Sequence, residues 1–359
     1  MKRILLFTSS LGSGGAERQL CFLSVFLKQK GYTVKVITYA ERLFFKPYLQ
    51  SNGVDHEMIP QLKNKYLRPL YLSRIYKKYK PDVVISYLQS DNMAACLAQY
   101  FYSKAKLIVS ERNTNQSLSK KDKVLFYLYK KADYIVPNSH TQHDFILKYY
   151  PEYKNKLRTI TNFIDTDIFK PSKEHVIREN PLVLTVGRYT QQKNCLRFIE
   201  AVSKLKNKGV KAQFVWFGDK KRYPLYYKDV ETLVKQLKLE DYLVLNDQSE
   251  NIVSAYQNAD VFCLPSIYEG YPNVVCEAMS CGLPLVCSNV SDTQFIMKEG
   301  CNGYLFNPLS VDDIAEKLEF VLSLSSDELK KMGEQSREIA LQTFSYRSFI
   351  ESYIELIEK

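Results

Sequence analysis

Short β-branched and aliphatic runs alternate along the chain with stretches whose apolar positions recur at helical spacing. In the first half RILLFTS, TVKVITYA, DVVISYL, KLIVSE, YIVPNS and LRTITN each have the length and residue types of a strand. Helical periods over Ala16–Gln29, Tyr66–Tyr79, Asp91–Tyr102 and Lys120–Lys131 lie between most of them. Strand–helix alternation predicts parallel strands with crossover helices, an α/β fold with a doubly wound sheet. NFIDTDIFKPSKEHVIREN breaks the rhythm, and a domain boundary is expected near Lys170–Asn180, dividing residues 1–172 from 173–344. The alternation resumes with PLVLTVG, AQFVWFG, YLVLN, DVFCLP, PLVCS and GYLF, so a second doubly wound domain follows. From Val311 only helical patterns appear. Ser310 and Ser325–Ser326, each ahead of paired acids, suit helix N-caps.

Length and composition agree with this reading. A chain of 359 residues suits two cores, and 45% hydrophobic with 25% charged residues is a globular composition. No apolar run nears the ~20 residues of a membrane span, and Ile4–Phe7 is too short for a signal-peptide core. Eight cysteines without zinc-like or CxxC spacing imply free thiols and a reducing cytoplasm. Charge is the uneven feature. Residues 1–170 hold 28 Lys and Arg against 13 Asp and Glu, while the remainder holds 22 against 26. A first half at +15 invites an acidic partner: nucleic acid, anionic lipid or a phosphorylated substrate.

Ligands of doubly wound sheets bind beyond the carboxyl ends of the strands, here in an expected cleft between the two domains. After the first strand, Gly12, Gly14 and Gly15 permit close backbone approach at a helix start. Glu17 stands where a dinucleotide fingerprint needs glycine, so this loop is either a tight turn or a contact to phosphate or sugar. After the first strand of domain two, Gly187, Arg188 and Lys193 lie near a helix start, where cations oppose the helix dipole. A bound diphosphate would offset that cost, whereas solvated surface charge is the plain alternative. In PSIYEGYPNVVCEAMSCGLPLV, Pro272 suits a first helical position and Gly282 a helix end. Glu269 then precedes the helix and Glu277 rides on it, with free N–H groups expected near Asn273 and Val274. Carboxylates only accept hydrogen bonds, which suits sugar and ribose hydroxyls.

Other constellations carry less. Asp165 and Asp167 have metal-like spacing but lie in the interdomain segment, and His140 and His143 lack a third ligand. No P-loop motif is present. KNKYLRPLYLSRIYKKYK and SKKDKVLFYLYKK mix basic and aromatic residues at helical spacing. They read as solvated helix faces or as attachment to an anionic membrane surface; nucleic acid is disfavoured because no recognition motif accompanies them.

GSGGAER, VGRYTQQKN, TNFIDTDIFKP and the Glu269-to-Glu277 frame together resemble the GT-B glycosyltransferases of family 4, over essentially the whole chain. The resemblance implies a GT-B fold, two Rossmann-like domains facing a central cleft, with helix 345–359 returning to the first domain. It implies a retaining hexosyltransferase acting on a nucleotide sugar, expected to be UDP-linked, with no metal or other cofactor. Arg188 and Lys193 would hold the donor diphosphate and Glu269 the donor sugar. Glu277 would hold the ribose, and Asn246, Asp247 and Gln248 the base. Gly14 and Gly15 would line the cleft, and Gly270, Tyr271, Pro272, Asn273 and Val274 would complete the donor site. Many members carry a histidine in the first domain where this chain has Glu111, Arg112 and Asn113. Glu111 or Arg112 is expected to take over that contact. The implied acceptor is a lipid-linked, polyprenyl-diphosphate glycan of surface polysaccharide assembly, on the inner face of the plasma membrane. Rival readings are a nucleotide-sugar 2-epimerase of the same fold and a non-catalytic basic membrane adaptor.

Overall fold

The computed structural model describes residues 1–102, 104–174, 176–249 and 251–359. Two compact units are present, residues 1–163 with 346–359 and residues 164–345. The division precedes residue 172 for a packing reason. Ile164 and Phe169 are already buried in the second unit's core, and Ile164 N–H donates to Phe344 O at 3.2 Å. Residue 175 of the expected linker lies outside the described residues.

Unit 1 holds six parallel strands: β1 (Arg3–Phe7), β2 (Thr33–Thr38), β3 (Asp55–Met58), β4 (Val83–Tyr87), β5 (Lys106–Glu111) and β6 (Tyr134–Pro137). Their order is β3-β2-β1-β4-β5-β6. Two sequence expectations change here. Asp55–Met58, too polar to read as a strand, is an edge strand pairing with β2 alone, so one flank stays unpaired and polar residues are tolerated. LRTITN forms no strand and leaves only an isolated bridge from Leu157 to Ile135. The last helix, Tyr346–Glu358, belongs to this unit and buries Phe349, Ile350, Tyr353, Leu356 and Ile357 in its core. Lys2 and Lys106 donate to its final carbonyls, which suits the negative end of a helix dipole.

Unit 2 repeats the plan with β7 (Leu182–Val186), β8 (Gln213–Phe217), β9 (Leu243–Asn246), β10 (Val261–Leu264), β11 (Leu285–Ser288) and β12 (Gly303–Phe306), all parallel. Their order is β12-β11-β10-β7-β8-β9. The six strands match the six runs read from the sequence. Helices close both faces, and Ser310 and Ser325 cap theirs by accepting from the Asp313 and Glu328 N–H groups. The described cysteines are free thiols.

Candidate active site

In unit 2 the chain enters the sheet at β7, steps outward through β8 and β9, then returns to the other flank at β10. The winding direction therefore reverses between β7 and β10, the point beyond whose carboxyl ends sheets of this kind bind their ligands. Two loops leave at that point, one after β7 with Gly187, Arg188 and Lys193, the other after β10 with Glu269.

The loops are stitched together. Gln192 O accepts from Ile267 N–H at 2.8 Å, and Gln192 Nε2 donates to Tyr268 O at 3.0 Å. Asn194 sits at φ 60 and donates to Pro265 O and Pro308 O. Lys193 Nζ reaches Glu269 Oε1 at 2.5 Å, with the two residues 8% and 7% exposed. A Cβ on Gly187 would press on the Lys193 stem at 3.2 Å, so the glycine clears the lysine's path. Each partner of this buried pair neutralises the other. Arg188 is the cation left over, half-buried, and its guanidinium is held only by Gln192 Oε1 at 3.3 Å among the described residues. Most of its five donors remain available to an anion.

Glu269 is also fixed through its backbone. Its N–H donates to Ser291 Oγ at 3.1 Å, and the same hydroxyl donates to Glu269 O at 2.6 Å. The following helix runs Asn273–Ser280, one residue later than expected, with Pro272 as its cap. Asn273 N–H is not free as expected, because it donates to Tyr271 O at 2.9 Å. Val275 and Cys276 N–H both turn to Pro272 O, which leaves Val274 N–H unpartnered among the described residues. The helix ends in a Schellman pattern with Gly282 at φ +77. Glu277 lies one turn in, almost buried, and accepts from Tyr256 Oη at 2.9 Å. Tyr271 differs from expectation, since its ring packs into the apolar core with Val275 and Met279 rather than lining an open pocket. Gly270 stays half-buried between Glu269 and Tyr271.

Asn246 ends the edge strand β9 with Asp247 and Gln248 just after it, and Tyr189 of the β7 loop ties this end to the paired loops. Asn246 O already accepts from Tyr189 Oη at 2.7 Å and from Gly218 N–H at 3.2 Å, so it has no lone pair to spare for a base. Asp247 is exposed, and N–H donation from Gln248 and Lys220 holds its carboxyl below the usual range.

Unit 1 gives its candidates other work. Gly14 caps the helix Gly15–Gln29, and the Glu17 carboxylate lies over it where a Cβ would stand, so glycine leaves room for that side chain. Glu111 is wholly buried at the end of β5, with Tyr129 Oη donating to Oε1 and Asn92 Nδ2 3.4 Å away. Burial lifts its pKa from 4.5 to about 7, against the opposing hydrogen bonds from Tyr129 and Asn92. It is a core acid rather than a sugar contact. Arg112, also buried, donates to Asn162 Oδ1 and Tyr353 Oη at 2.8 Å each, and its guanidinium lies 4.0 Å from the Tyr87 ring centre. Arg112 therefore clamps the final helix to the sheet.

Two predictions follow from these corrected roles. A carboxyl whose folded pKa is raised stabilises the protein fully below its ordinary value near 4.5, and that stability is lost as pH climbs to about 7. Glu111→Gln should thus gain about 3 kcal/mol on wild type between pH 4.5 and 8, read from urea midpoints at each pH. Arg112→Leu should lower stability by about 3 kcal/mol, since Asn162 and Tyr353 lose a buried partner. Protease cleavage should then start in residues 346–359; unaltered cleavage there would contradict the clamp.

Family models match in tandem: "Glycosyltransferase Family 4" over residues 13–168 and "Glycosyl transferases group 1" over residues 167–339. The chain belongs to the group 1 and family 4 glycosyltransferases. Its two doubly wound units are those of the GT-B fold. HepE of Anabaena, solved with UDP and glucose, shares the glycosyltransferase's fold at TM-score 0.85 and 18% identity, over 100% of both chains. Two Campylobacter jejuni enzymes are similar in sequence. One is N-acetylgalactosamine-N,N'-diacetylbacillosaminyl-diphospho-undecaprenol 4-alpha-N-acetylgalactosaminyltransferase, 27% identical over 80% of this chain and 81% of its own. The other is GalNAc-alpha-(1->4)-GalNAc-alpha-(1->3)-diNAcBac-PP-undecaprenol alpha-1,4-N-acetyl-D-galactosaminyltransferase, 29% identical over 90% of this chain and 89% of its own. Three residues of the site were missed from sequence: Gln192, Ser291 and Tyr256. Each is a common polar residue whose importance depends on a partner distant in the chain, so no local signal marked it.

Proposed function

We propose that this glycosyltransferase moves a hexose or N-acetylhexosamine from a UDP-sugar to a polyprenyl-diphosphate-linked glycan with retention of configuration, in surface polysaccharide assembly such as O-antigen or capsule. The observation that carries the reading is Arg188, its donors largely unspent, beside the buried Lys193–Glu269 pair where the unit 2 sheet changes direction. The donor diphosphate lies against Arg188 and Lys193. As the bond from anomeric carbon to phosphate oxygen breaks, both cations stabilise the departing charge, so that no metal is required. Glu269, freed from part of its hold on Lys193, accepts from the donor sugar's hydroxyls, and Glu277, oriented by Tyr256, accepts from the ribose. The acceptor hydroxyl attacks from the face that the diphosphate vacates and gives its proton to a departing phosphate oxygen. Support for the nucleotide and the acceptor comes from HepE, solved with UDP, and from the two Campylobacter enzymes, whose names specify undecaprenol-linked glycans. No described helix is long and apolar enough to cross a membrane, and we place the enzyme on the cytoplasmic face of the plasma membrane, held peripherally.

The test is a panel of UDP- and GDP-sugars scored by thermal shift, then transfer from the best donor to a synthetic polyprenyl-diphosphate glycan. UDP-sugars should raise Tm, the product should keep the donor's anomeric configuration by NMR, and EDTA should leave the rate unchanged. An inverted product, or a GDP-sugar as the sole stabilising donor, would falsify the reading.

A further inference from the structure

Unit 1 carries a surface that the transfer chemistry does not use. The helices Arg68–Tyr79, Gln89–Ala98 and Lys120–Leu128 form one layer on one face of its sheet, bound beneath by a shared core that includes Leu72, Tyr76, Ala95, Leu125 and Phe126. Tyr76 meets Tyr102 at 6.1 Å between ring centres, which ties the first helix to the end of the second. The layer therefore unites the two basic, aromatic segments singled out in the sequence, and it adds Tyr100 and Phe101, which neither contained.

Its outer side has two properties together. Over residues 58–81 and 92–131, twelve Lys and Arg are exposed and none of the described Asp and Glu in those ranges is; one of the twelve, Lys63, pairs with the exposed Glu41 at 3.1 Å. Large apolar side chains stand among them, with Tyr66 at 81%, Tyr127 at 58% and Phe101 at 55% exposure, and the aliphatic Leu67, Leu70 and Val124 also open to solvent. Lysines cap several of the rings: Lys131 lies 4.2 Å from the centre of Tyr100, and Lys130 4.4 Å from that of Tyr127. Lys120, Lys121 and Lys123 occupy the first turn of their helix, where positive charge opposes the helix dipole. Helix stability does not explain that placement, and an anionic partner does.

We propose that this three-helix face is an interfacial docking surface for an anionic phospholipid bilayer. Lysines meet the headgroup phosphates, and the rings and Leu67, Leu70 and Val124 enter the headgroup–acyl boundary. Aliphatic side chains have no role in stacking on bases, which favours lipid over nucleic acid. The proposal extends the lipid-linked acceptor reading but does not depend on it.

Co-sedimentation of the full chain with phosphatidylglycerol–phosphatidylethanolamine vesicles tests it, with phosphatidylcholine vesicles as the neutral arm. Wild type should pellet with the anionic vesicles and stay in solution with the neutral ones. Replacing Lys120, Lys121 and Lys123 with Ala should weaken binding roughly 100-fold, at about one fivefold step per charge. Phe101→Ser with Tyr127→Ser should weaken it further at high salt. Replacing Lys204, Lys206 and Lys208, three exposed lysines at the end of the unit 2 helix Cys195–Asn207 and its cap, should change nothing. Thermal melts establish that each variant is folded. Equal binding to both vesicle types, loss with the unit 2 variant instead, or a preference for an RNA oligonucleotide over the vesicles would overturn the proposal. Vesicle binding that follows this pattern in a protein inactive toward every lipid-linked acceptor leaves the surface intact and removes the acceptor reading alone.

Discussion

Glu269→Ala should abolish transfer and, at the same time, cost the fold about 3–5 kcal/mol. The two losses have one origin. Glu269 Oε1 is 2.5 Å from Lys193 Nζ, and both side chains lie within about a tenth of full exposure. Removing the carboxylate leaves an ammonium buried without a counter-charge, which is the costly half of breaking such a pair. It also removes the acceptor that we assign to the donor sugar. Activity alone cannot separate these effects, so the informative variant is the double replacement Lys193→Met with Glu269→Leu. An apolar pair of similar volume should recover most of the stability in urea titrations. Transfer should stay at least 10³-fold down, because the diphosphate would have lost one of its two cations. Were the double variant to regain activity with stability, the pair would be a structural strut and the site would lie elsewhere.

How legible this was from sequence varied with the distance between the residues concerned. The Asn273–Ser280 helix could be placed to within a residue because Pro272 and Gly282 punctuate it locally. The central strands β10 and β11 read clearly because they are buried, near-continuous apolar runs, as in parallel sheets covered on both faces. Asp55–Met58 did not, since an edge strand answers to one neighbour and needs little apolar character. Arg112 and Glu111 were both noticed, but their packing partners were not. Their position at the carboxyl end of a parallel strand argues for ligand contact, and only the packing of Tyr353, Asn162 and Tyr129 shows the core contacts that hold them. The Lys193–Glu269 pair joins positions 76 residues apart, and the periodicity of either segment says nothing of the other. What the sequence could supply was the residue types at the carboxyl ends of β7 and β10, and the topology then made them neighbours.

Arg188→Ala should behave in the opposite way to the buried pair, with activity lost and stability kept. The guanidinium is half-buried and rests on one hydrogen bond of 3.3 Å, so its removal should shift the urea midpoint by less than about 0.5 kcal/mol. Its other donors are uncommitted, and their proposed use is the departing diphosphate. Loss of such a pre-placed donor should lower kcat about 10²–10³-fold. Arg188→Lys keeps the charge but not the planar fork, and should recover part of that loss. If the arginine bound ground state and transition state alike, KM would rise while kcat held. Charge stabilisation confined to departure predicts the reverse, a fall in kcat at nearly constant KM. Gln192→Ala sharpens the distinction, because it frees the guanidinium without removing it and cuts the tie to Tyr268. A kcat loss of about tenfold there, smaller than in Arg188→Ala, would show that the orientation of the fork matters as well as its charge. An Arg188→Ala enzyme with wild-type kcat would place the leaving-group stabilisation on Lys193 alone.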